Sequence, residues 1–269
     1  MEYHSDGSDP FYNSDANGRK NYYVGFTGYP TAYFDGRRQV EVGGYNGTFN
    51  AYLNKYNLEM AYNSLCTLNV FVDYNADTRF LKVNARVTKL NAFSGAYLRY
   101  AIAENLIYYH WPYPPPDPPP AFYLDSLHHV VRKMLPNYSG VVIPDTLSIG
   151  HSFVNSQTYT LNPAWDEKNC YVVVFVQSNT ATLQPVYRSV KSGLFPEVNW
   201  VFGDATGDGT VNSADIVCLI NYLFVGGPPP NPPASGDPTY DCNINSADIV
   251  YLINYLFVGG PAPLKGCAF

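Results

Sequence analysis

The stretch VNSADIVCLINYLFVGG at residues 211–227 is repeated almost unchanged as INSADIVYLINYLFVGG at residues 244–260. The second copy begins 33 residues after the first, and only the Val/Ile and Cys/Tyr positions differ across the 17 residues. Apolar residues recur in both copies at helical spacing, and two glycines followed by a proline end each run. The repeat therefore predicts two helices that bury one another. Their predicted apolar faces are Ile216, Ile220, Leu223 and Phe224 in the first copy and Ile249, Ile253, Leu256 and Phe257 in the second.

An acidic loop leads directly into each predicted helix: DATGDGTVNSAD at residues 204–215 and DPTYDCNINSAD at residues 237–248. Counted from its first Asp, each loop offers oxygen donors at positions 1, 3, 5, 7, 9 and 12, which is the set that calcium prefers. Magnesium demands tighter octahedral geometry and suits such a loop less well. The alternative is a metal-free pair of Asx turns that cap the helices. The candidate ligands are Asp204, Thr206, Asp208, Thr210, Asn212 and Asp215 in the first loop, and Asp237, Thr239, Asp241, Asn243, Asn245 and Asp248 in the second.

The two loops differ at position 6, where the chain must turn sharply. Gly209 stands there in the first loop, and glycine adopts a positive φ without steric cost. Cys242 stands there in the second loop, where a Cβ strains the same conformation, and Pro238 fixes φ just after the first ligand. We therefore expect two calcium ions, with the second site weaker than the first.

A loop followed by an exiting helix, without an entering helix and present twice, resembles the type I dockerin family over residues 203–267. The resemblance implies docking to a cohesin module on a scaffold protein, and such domains are most often fused to polysaccharide-degrading enzymes. It places the partner-binding face at Ser213, Ala214, Asn221 and Val225 and at Ser246, Ala247, Asn254 and Val258. The family often has Thr at the alanine positions and a basic residue at the asparagine positions. Two identical faces would allow a partner to bind in either of two orientations.

Residues 65–198 are predicted to form an all-β domain. Residues 81–88 alternate between apolar and polar, which indicates a half-buried strand, and residues 67–74, 96–104, 158–161 and 171–177 are further strand candidates. Several short strands at this spacing favour an immunoglobulin-like sandwich. Residues 127–135 have apolar positions at helical spacing and predict a short helix, and the proline run at residues 112–120 predicts a polyproline II loop.

The segment GYPTAYFDG at residues 28–36 resembles the part of thioredoxin-like domains that carries a cis-proline before a strand and a turn. The resemblance implies that Pro30 is cis and that the redox cysteines lie upstream, so that this segment is truncated and redox-inactive. Helices are predicted at residues 13–23 and 48–64, with a strand at residues 30–35. A turn before an ordinary strand is the alternative. A thioredoxin-like unit followed by an immunoglobulin-like sandwich is the order found in bacterial surface proteins.

Composition excludes several classes of protein. The 269-residue chain has a net charge of −6 and no basic cluster, which excludes a nucleic-acid partner. It has no apolar run of the length that a membrane span needs. The first residues lack the pattern of a signal peptide, although a dockerin-like module implies an extracellular, cell-surface or periplasmic location, so we expect an export signal upstream of Met1. No two of the five cysteines form a C-x-x-C pair.

No catalytic constellation is recognisable, because the chain lacks a G-x-S-x-G elbow, an H-E-x-x-H helix and a phosphate-binding glycine loop. The predicted architecture is a multidomain α+β protein: a partial thioredoxin-like segment (residues 1–64), an all-β sandwich (65–198) and a small all-α calcium-binding module (199–269). We expect a non-catalytic protein that docks to a cohesin-like partner or a surface scaffold. The alternative is an accessory component of polysaccharide degradation whose tyrosine-rich sandwich binds glycans or has glycoside-hydrolase-associated activity.

Overall fold

A computed structural model describes residues 1–23, 25–26, 28, 31–41, 47–109, 126–179, 184–195 and 200–268. The chain divides into two compact units, Met1–Phe195 and Pro196–Phe269. The predicted polyproline segment at residues 112–120 and the predicted cis-proline, Pro30, lie outside the described residues.

The first unit is built mainly of antiparallel strands, with two helices near its start. Its elements are α1 (Ser14–Tyr22), β1 (Thr31–Phe34), β2 (Arg38–Glu41), α2 (Thr48–Glu59), β3 (Cys66–Asn75), β4 (Phe80–Lys89), β5 (Ala96–Glu104), β6 (Val130–Leu135), β7 (Val141–Val142), β8 (Ser152–Thr160), β9 (Cys170–Ser178) and β10 (Val186–Gly193). β1 and β2 form a hairpin, one sheet has the order β10-β9-β5-β6 with β7 paired to β5, and another has the order β3-β4-β8.

The two larger sheets share one apolar core. Side chains from both sheets are fully buried in it, among them Val83 of β4, Leu98 of β5 and Val174 of β9. Trp165 and Leu194 close the same core from loops. The five strands predicted from alternating or continuous apolar patterns are confirmed, although the one predicted at residues 158–161 is the longer β8, which begins at Ser152 and ends at Thr160.

The predicted helix at residues 127–135 is wrong, because Val130–Leu135 is strand β6. β6 pairs with β5, and both of its faces are covered: Leu135 lies in the core between the sheets, whereas Val131 and Met134 pack with Phe175 on the other side. Apolar residues on both faces of a strand can imitate helical spacing. His128 and His129, within the predicted helix, therefore lie just before a strand.

The two predicted N-terminal helices and the strand between them are confirmed as α1, α2 and β1, although α2 ends at Glu59 instead of reaching residue 64. Asn13 caps α1 by accepting a hydrogen bond from the backbone N–H of Ala16 at 2.8 Å. Asp15, buried in α1, accepts hydrogen bonds from Lys133 Nζ at 2.7 Å and from the backbone N–H of Met134 at 3.0 Å. These bonds fix α1 against the outer face of β6.

The second unit contains the repeat. Helix α3 (Ser213–Ile220) runs into a π-helical turn, Asn221–Val225, and α4 (Ser246–Ile253) runs into an equivalent turn, Asn254–Val258; a short 3₁₀ helix, Pro233–Gly236, lies between the copies. Gly226 and Gly259 end the copies, both at φ +83. Within the described residues, no helix has the length and the apolar character that crossing a membrane requires.

The core of the second unit includes Ile216 and Leu219 of α3 and Ile249 and Leu252 of α4, with Leu223 and Leu256 partly buried against them. The prediction that the two phenylalanines belong to this core is wrong. Phe224 is 69% exposed and Phe257 is 67% exposed. The buried stripe follows the spacing i, i+3, i+7, so it is narrower than the predicted face and leaves the i+4 and i+8 positions in solvent.

Candidate calcium loops and docking face

The first loop is wrapped around its first carboxylate. Asp204 is only 2% exposed, and its Oδ1 accepts hydrogen bonds from the backbone N–H groups of Gly207 and Asp208, at 2.8 and 3.1 Å. Its Oδ2 accepts from the N–H of Gly209 at 2.7 Å. Gly209 has φ +89, in the left-handed region that favours glycine. The loop backbone therefore supports a buried negative charge at position 1.

The twelfth residue of the first loop is also the first acidic residue of α3. Asp215 is fully buried, and its Oδ2 accepts a hydrogen bond from the backbone N–H of Asn212 at 2.8 Å. The side chain of Asn212 accepts in return from the N–H of Ala214 at 2.7 Å, which completes a capping box. Thr206 Oγ1 donates to Asp215 Oδ1 at 2.9 Å. The loop thus brings positions 3, 9 and 12 together at the start of the helix.

Position 5 of the first loop is exposed. Asp208 Oδ1 accepts hydrogen bonds from the hydroxyl of Thr210 at 2.7 Å and from its backbone N–H at 2.9 Å. These bonds hold the pKa of the Asp208 carboxyl below its usual range. Asn212 Nδ2 donates to Thr210 Oγ1 at 3.0 Å. The carboxylate of Asp208 is therefore charged and oriented by its own loop.

The second loop repeats this arrangement. Asp237 is fully buried and accepts hydrogen bonds from the backbone N–H groups of Asp241 and Cys242, at 3.1 and 3.0 Å. Asp248 accepts from Thr239 Oγ1 and from the N–H of Asn245, both at 2.8 Å. Asn243 donates its backbone N–H to Asp241 Oδ1 at 2.8 Å, as Thr210 does in the first loop. The two loops therefore share one hydrogen-bonding scheme.

The carboxylates converge more closely in the second loop. Asp237, Asp241 and Asp248 each bring one carboxylate oxygen within 4.8 Å of the other two, a convergence that no other acidic trio in the described part of the chain shows. Asn245 Nδ2 donates to Asp241 Oδ2 at 3.0 Å and draws it toward the cluster. Burial raises the pKa of Asp248, and the charge of Asp237 raises it further.

Position 6 of the second loop lies in the left-handed region, as its place in the loop predicts. Cys242 has φ +64 and forms a disulfide with Cys267. Of the other cysteines, Cys66 and Cys170 are buried thiols of the first unit, and Cys218 on α3 is partly exposed. The odd cysteine count alone gave no means of choosing this pair.

The residues of both loops fit a calcium ion. Each loop has two buried carboxylates, and among the described residues no Lys, Arg or His side chain forms an ion pair with any of them. Buried charge of one sign needs a partner of the other sign. The donors are all oxygen atoms, and hard oxygen donors select calcium over zinc or copper. The predicted ligands would hold the ion.

The eight residues predicted to contact a partner are all exposed: Ser213, Ala214, Asn221, Val225, Ser246, Ala247, Asn254 and Val258. The serines and alanines open α3 and α4, and the asparagines and valines begin and end the π-helical turns. Sequence reasoning missed the exposed phenylalanines beside them. The sequence did indicate that these phenylalanines are exposed, because Phe224 and Phe257 stand next to the exposed valines and outside the i, i+3, i+7 stripe.

Paired loop–helix units with oxygen ligands define a class of small calcium-binding domains. Residues 202–257 match the family model of the dockerin type I domain, so the C-terminal part of the chain carries such a domain. Dockerin domains bind calcium, dock to cohesin partners and are typically extracellular. The chain matches none of the curated proteins in sequence.

Solved structures that resemble parts of the chain include two from Porphyromonas gingivalis and one from Bifidobacterium adolescentis. HBP35 of Porphyromonas gingivalis is 16% identical with a TM-score of 0.49, over 69% of this chain and 59% of that one. A domain of the outer membrane lipoprotein Omp28 from the same organism is 16% identical with a TM-score of 0.34, over 50% of this chain and 100% of that one. A GH3 beta-glucosidase of Bifidobacterium adolescentis is 15% identical with a TM-score of 0.21, over 55% and 21%. The chain thus spans less than two thirds of HBP35, and these likenesses assign no activity.

Proposed function

We propose that this protein is an extracytoplasmic, non-catalytic component that docks through its C-terminal module to a cohesin-like protein or surface scaffold. Both loops hold a calcium ion, and the first site is the stronger because a glycine makes its sharp turn. The observation that carries the proposal is the repetition in space of one loop scheme and one exposed face. Core packing explains Leu219 and Leu252, but it does not require identical Ser, Ala and Asn residues in solvent.

Calcium acts on docking through the start of each helix. Asp215 and Asp248 are at once the last ligands of the loops and the third residues of α3 and α4, where they accept the backbone N–H of the capping asparagines. An ion bound at these carboxylates fixes the first helical turn, where two of the four face residues of each copy stand. Removal of calcium then disorders the face as well as the loop.

The exposed apolar residues add an anchor to this face. Phe224 and Val225 in the first copy, and Phe257 and Val258 in the second, present apolar side chains to solvent. Buried aromatic anchors supply much of the affinity of protein interfaces, and a paired apolar patch of this kind marks an interaction site. We propose that a partner covers one such patch at a time.

The duplication is tested by pairwise substitution. Ser213→Ala with Asn221→Ala, and separately Ser246→Ala with Asn254→Ala, should each leave most of the affinity, because the unchanged copy can serve after a half-turn. All four changes together should abolish binding. Affinity capture from surface proteins of the native host, followed by calorimetry with the captured cohesin-like protein, measures this. Absence of any calcium-dependent partner, or full affinity of the fourfold variant, contradicts the proposal.

For the rest of the chain we propose a thioredoxin-like segment at residues 1–64 and an immunoglobulin-like sandwich at residues 65–198, ahead of the dockerin module at 199–269. The order helix, hairpin, helix in α1, β1–β2 and α2 supports the first assignment, and two antiparallel sheets around one core support the second. The proposal that the protein is non-catalytic is tested on a panel of polysaccharides. Turnover that is lost on substitution of one sandwich carboxylate would contradict it.

A second candidate function is glycan binding. A cavity of about 420 Å³ in the first unit is lined by Tyr3, Tyr23, Tyr33 and Tyr171, and the rings of Tyr23 and Tyr33 stack at 4.4 Å. Aromatic faces of this kind pack against sugar rings. Tyr33→Ala should abolish retardation in affinity gels that contain soluble polysaccharide, and the exposed Tyr108→Ala should not. A wild type that is not retarded in any gel contradicts this function, and retardation of Tyr33→Ala equal to that of the wild type contradicts its assignment to this cavity.

A further inference from the structure

The end of the described chain lies against the second calcium loop. Cys267 is fully buried, and its backbone N–H donates to Asp237 Oδ2 at 2.8 Å. The N–H of Ala268 donates to the same oxygen at 3.1 Å. Two amides from outside the loop therefore bond directly to its first carboxylate.

The contact is built tightly. A Cβ at Gly266 would lie 1.9 Å from the backbone oxygen of Ala234 and 2.7 Å from that of Asp237, so only glycine allows this approach. Leu264 donates its N–H to the carbonyl of Pro238 at 3.1 Å. Residues 264–268 thus run beside the start of the second loop with backbone bonds at both ends.

A disulfide ties this tail to the turn of the loop. Cys242 at position 6 is bonded to Cys267, and its own N–H donates to Asp237 Oδ2 at 3.0 Å. One oxygen therefore receives three amides, two of them from the residues joined by the disulfide. In the first loop the corresponding oxygen, Asp204 Oδ2, is bonded by Gly209 of its own loop.

We propose that residues 266–268, held by the Cys242–Cys267 disulfide, act as a tail latch that positions Asp237 for calcium and keeps Cys242 in its left-handed conformation. Fixed outer hydrogen bonds orient a carboxylate ligand so that less of its freedom is lost when the ion binds. The disulfide supports the turn of the second loop, which stays more strained than the glycine turn of the first. The inference rests on the proposed calcium function of the second loop.

Two roles of the latch can be separated by choice of variant. Cys242→Ser with Cys267→Ser removes the bond and leaves a Cβ at position 6, so both the tail and the turn are released. Cys242→Gly with Cys267→Ser also removes the bond but restores a residue that accepts a positive φ. If the hydrogen bonds from the N–H groups of residues 267 and 268 to Asp237 contribute to calcium binding, the glycine variant recovers only part of the calcium affinity that the serine variant loses. Cys218→Ser is the matched control: it removes a partly exposed thiol of α3, and the serine hydroxyl can keep the bond that Cys218 Sγ donates to the carbonyl of Ala205.

Isothermal titration of the full chain with calcium chloride measures both sites, and the first loop reports whether the module has folded. The serine variant should lose about 10- to 100-fold in affinity at the second site and keep the first, in line with the effect of removing outer hydrogen bonds from metal ligands. The glycine variant should fall between it and the wild type, and Cys218→Ser should match the wild type.

Hydrogen exchange in saturating calcium, where the module is folded, supplies a second measurement. The N–H of Ala268 should exchange slowly in the wild type and at least about tenfold faster in the serine variant, because its bond to Asp237 loses its covalent support. Two unchanged calcium sites in the serine variant, or unchanged exchange at Ala268, overturn the latch and leave the docking function intact. A wild type that binds no calcium overturns both proposals. If the glycine variant recovers the full affinity, the hydrogen bonds from residues 267 and 268 do not contribute to calcium binding, and the disulfide acts only on the conformation of residue 242.

Discussion

The two repeats are nearly identical in sequence and in hydrogen bonding, yet different residues form the sharp turn at position 6. The first uses Gly209, which has no Cβ to strain at φ +89. The second uses Cys242 at φ +64 and compensates with a disulfide and a tail that bonds to Asp237. The comparison shows that the same left-handed backbone conformation is reached in two ways. In the first copy it follows from the absence of a Cβ, and in the second it is held by a disulfide to a residue 25 positions further along the chain.

Removal of calcium tests what the two copies share, and it should have the largest effect. The isolated segment 203–269 should lose most of its helical circular dichroism on addition of chelator, because the paired buried carboxylates of each loop then repel one another without a counter-ion. Calcium should restore the signal, and magnesium at the same concentration should restore less of it. An equal helical signal with and without chelator contradicts the prediction.

Core substitutions test whether the copies contribute equally to stability. Leu219 and Leu252 are both fully buried at matching positions, so Leu219→Ala and Leu252→Ala should each lower the free energy of unfolding by about 2–5 kcal/mol. Urea unfolding in the presence of calcium measures both.

Exposed positions on the same helices provide the control. Val217 and Val250 lie mostly in solvent, and their alanine variants should stay within about 0.5 kcal/mol of the wild type. A difference of more than about 1 kcal/mol between the two leucine variants would show that the disulfide makes the second half unequal to the first.

Substitution of the ligands at position 5 tests which of the two sites binds calcium more strongly. The difference in calcium affinity expected here is the smallest of the effects. Asp208→Ala should cost more calcium affinity than Asp241→Ala, by about threefold to tenfold, because the strain at Cys242 weakens the second site before any ligand is lost. Calorimetry on the two variants decides. Equal losses, or a larger loss for Asp241→Ala, would mean that the disulfide and the closer carboxylates of the second loop outweigh the strain.

The sequence was most informative where a segment has one buried face or repeats itself. The alternation at residues 81–88 predicted β4, and the repeat predicted α3 and α4 with their loops. It failed at β6, because Val131 and Met134 are buried on one face of the sheet and Leu135 on the other, which imitates a helix.

The phenylalanines and the disulfide lay beyond local reasoning for different reasons. Whether Phe224 is buried depends on how much of α3 its neighbour covers, and the partner helix α4 covers only a narrow stripe. The pairing of Cys242 with Cys267 depends on where the chain travels after α4, which no short-range pattern encodes. The tail that bonds to Asp237 was missed for the same reason.

Near-identity of α3 and α4 has a consequence for how the chain folds. Each helix completes the apolar core that the other leaves open, so a helix from a second molecule satisfies that core almost as well, and tandem units of this kind are prone to exchange between chains. The disulfide closes a covalent ring around α4 and its tail and has no counterpart around α3. Once it forms, any exchange between chains must carry the turn of the second loop, α4 and the residues up to Cys267 together as one covalently closed unit, whereas α3 stays open.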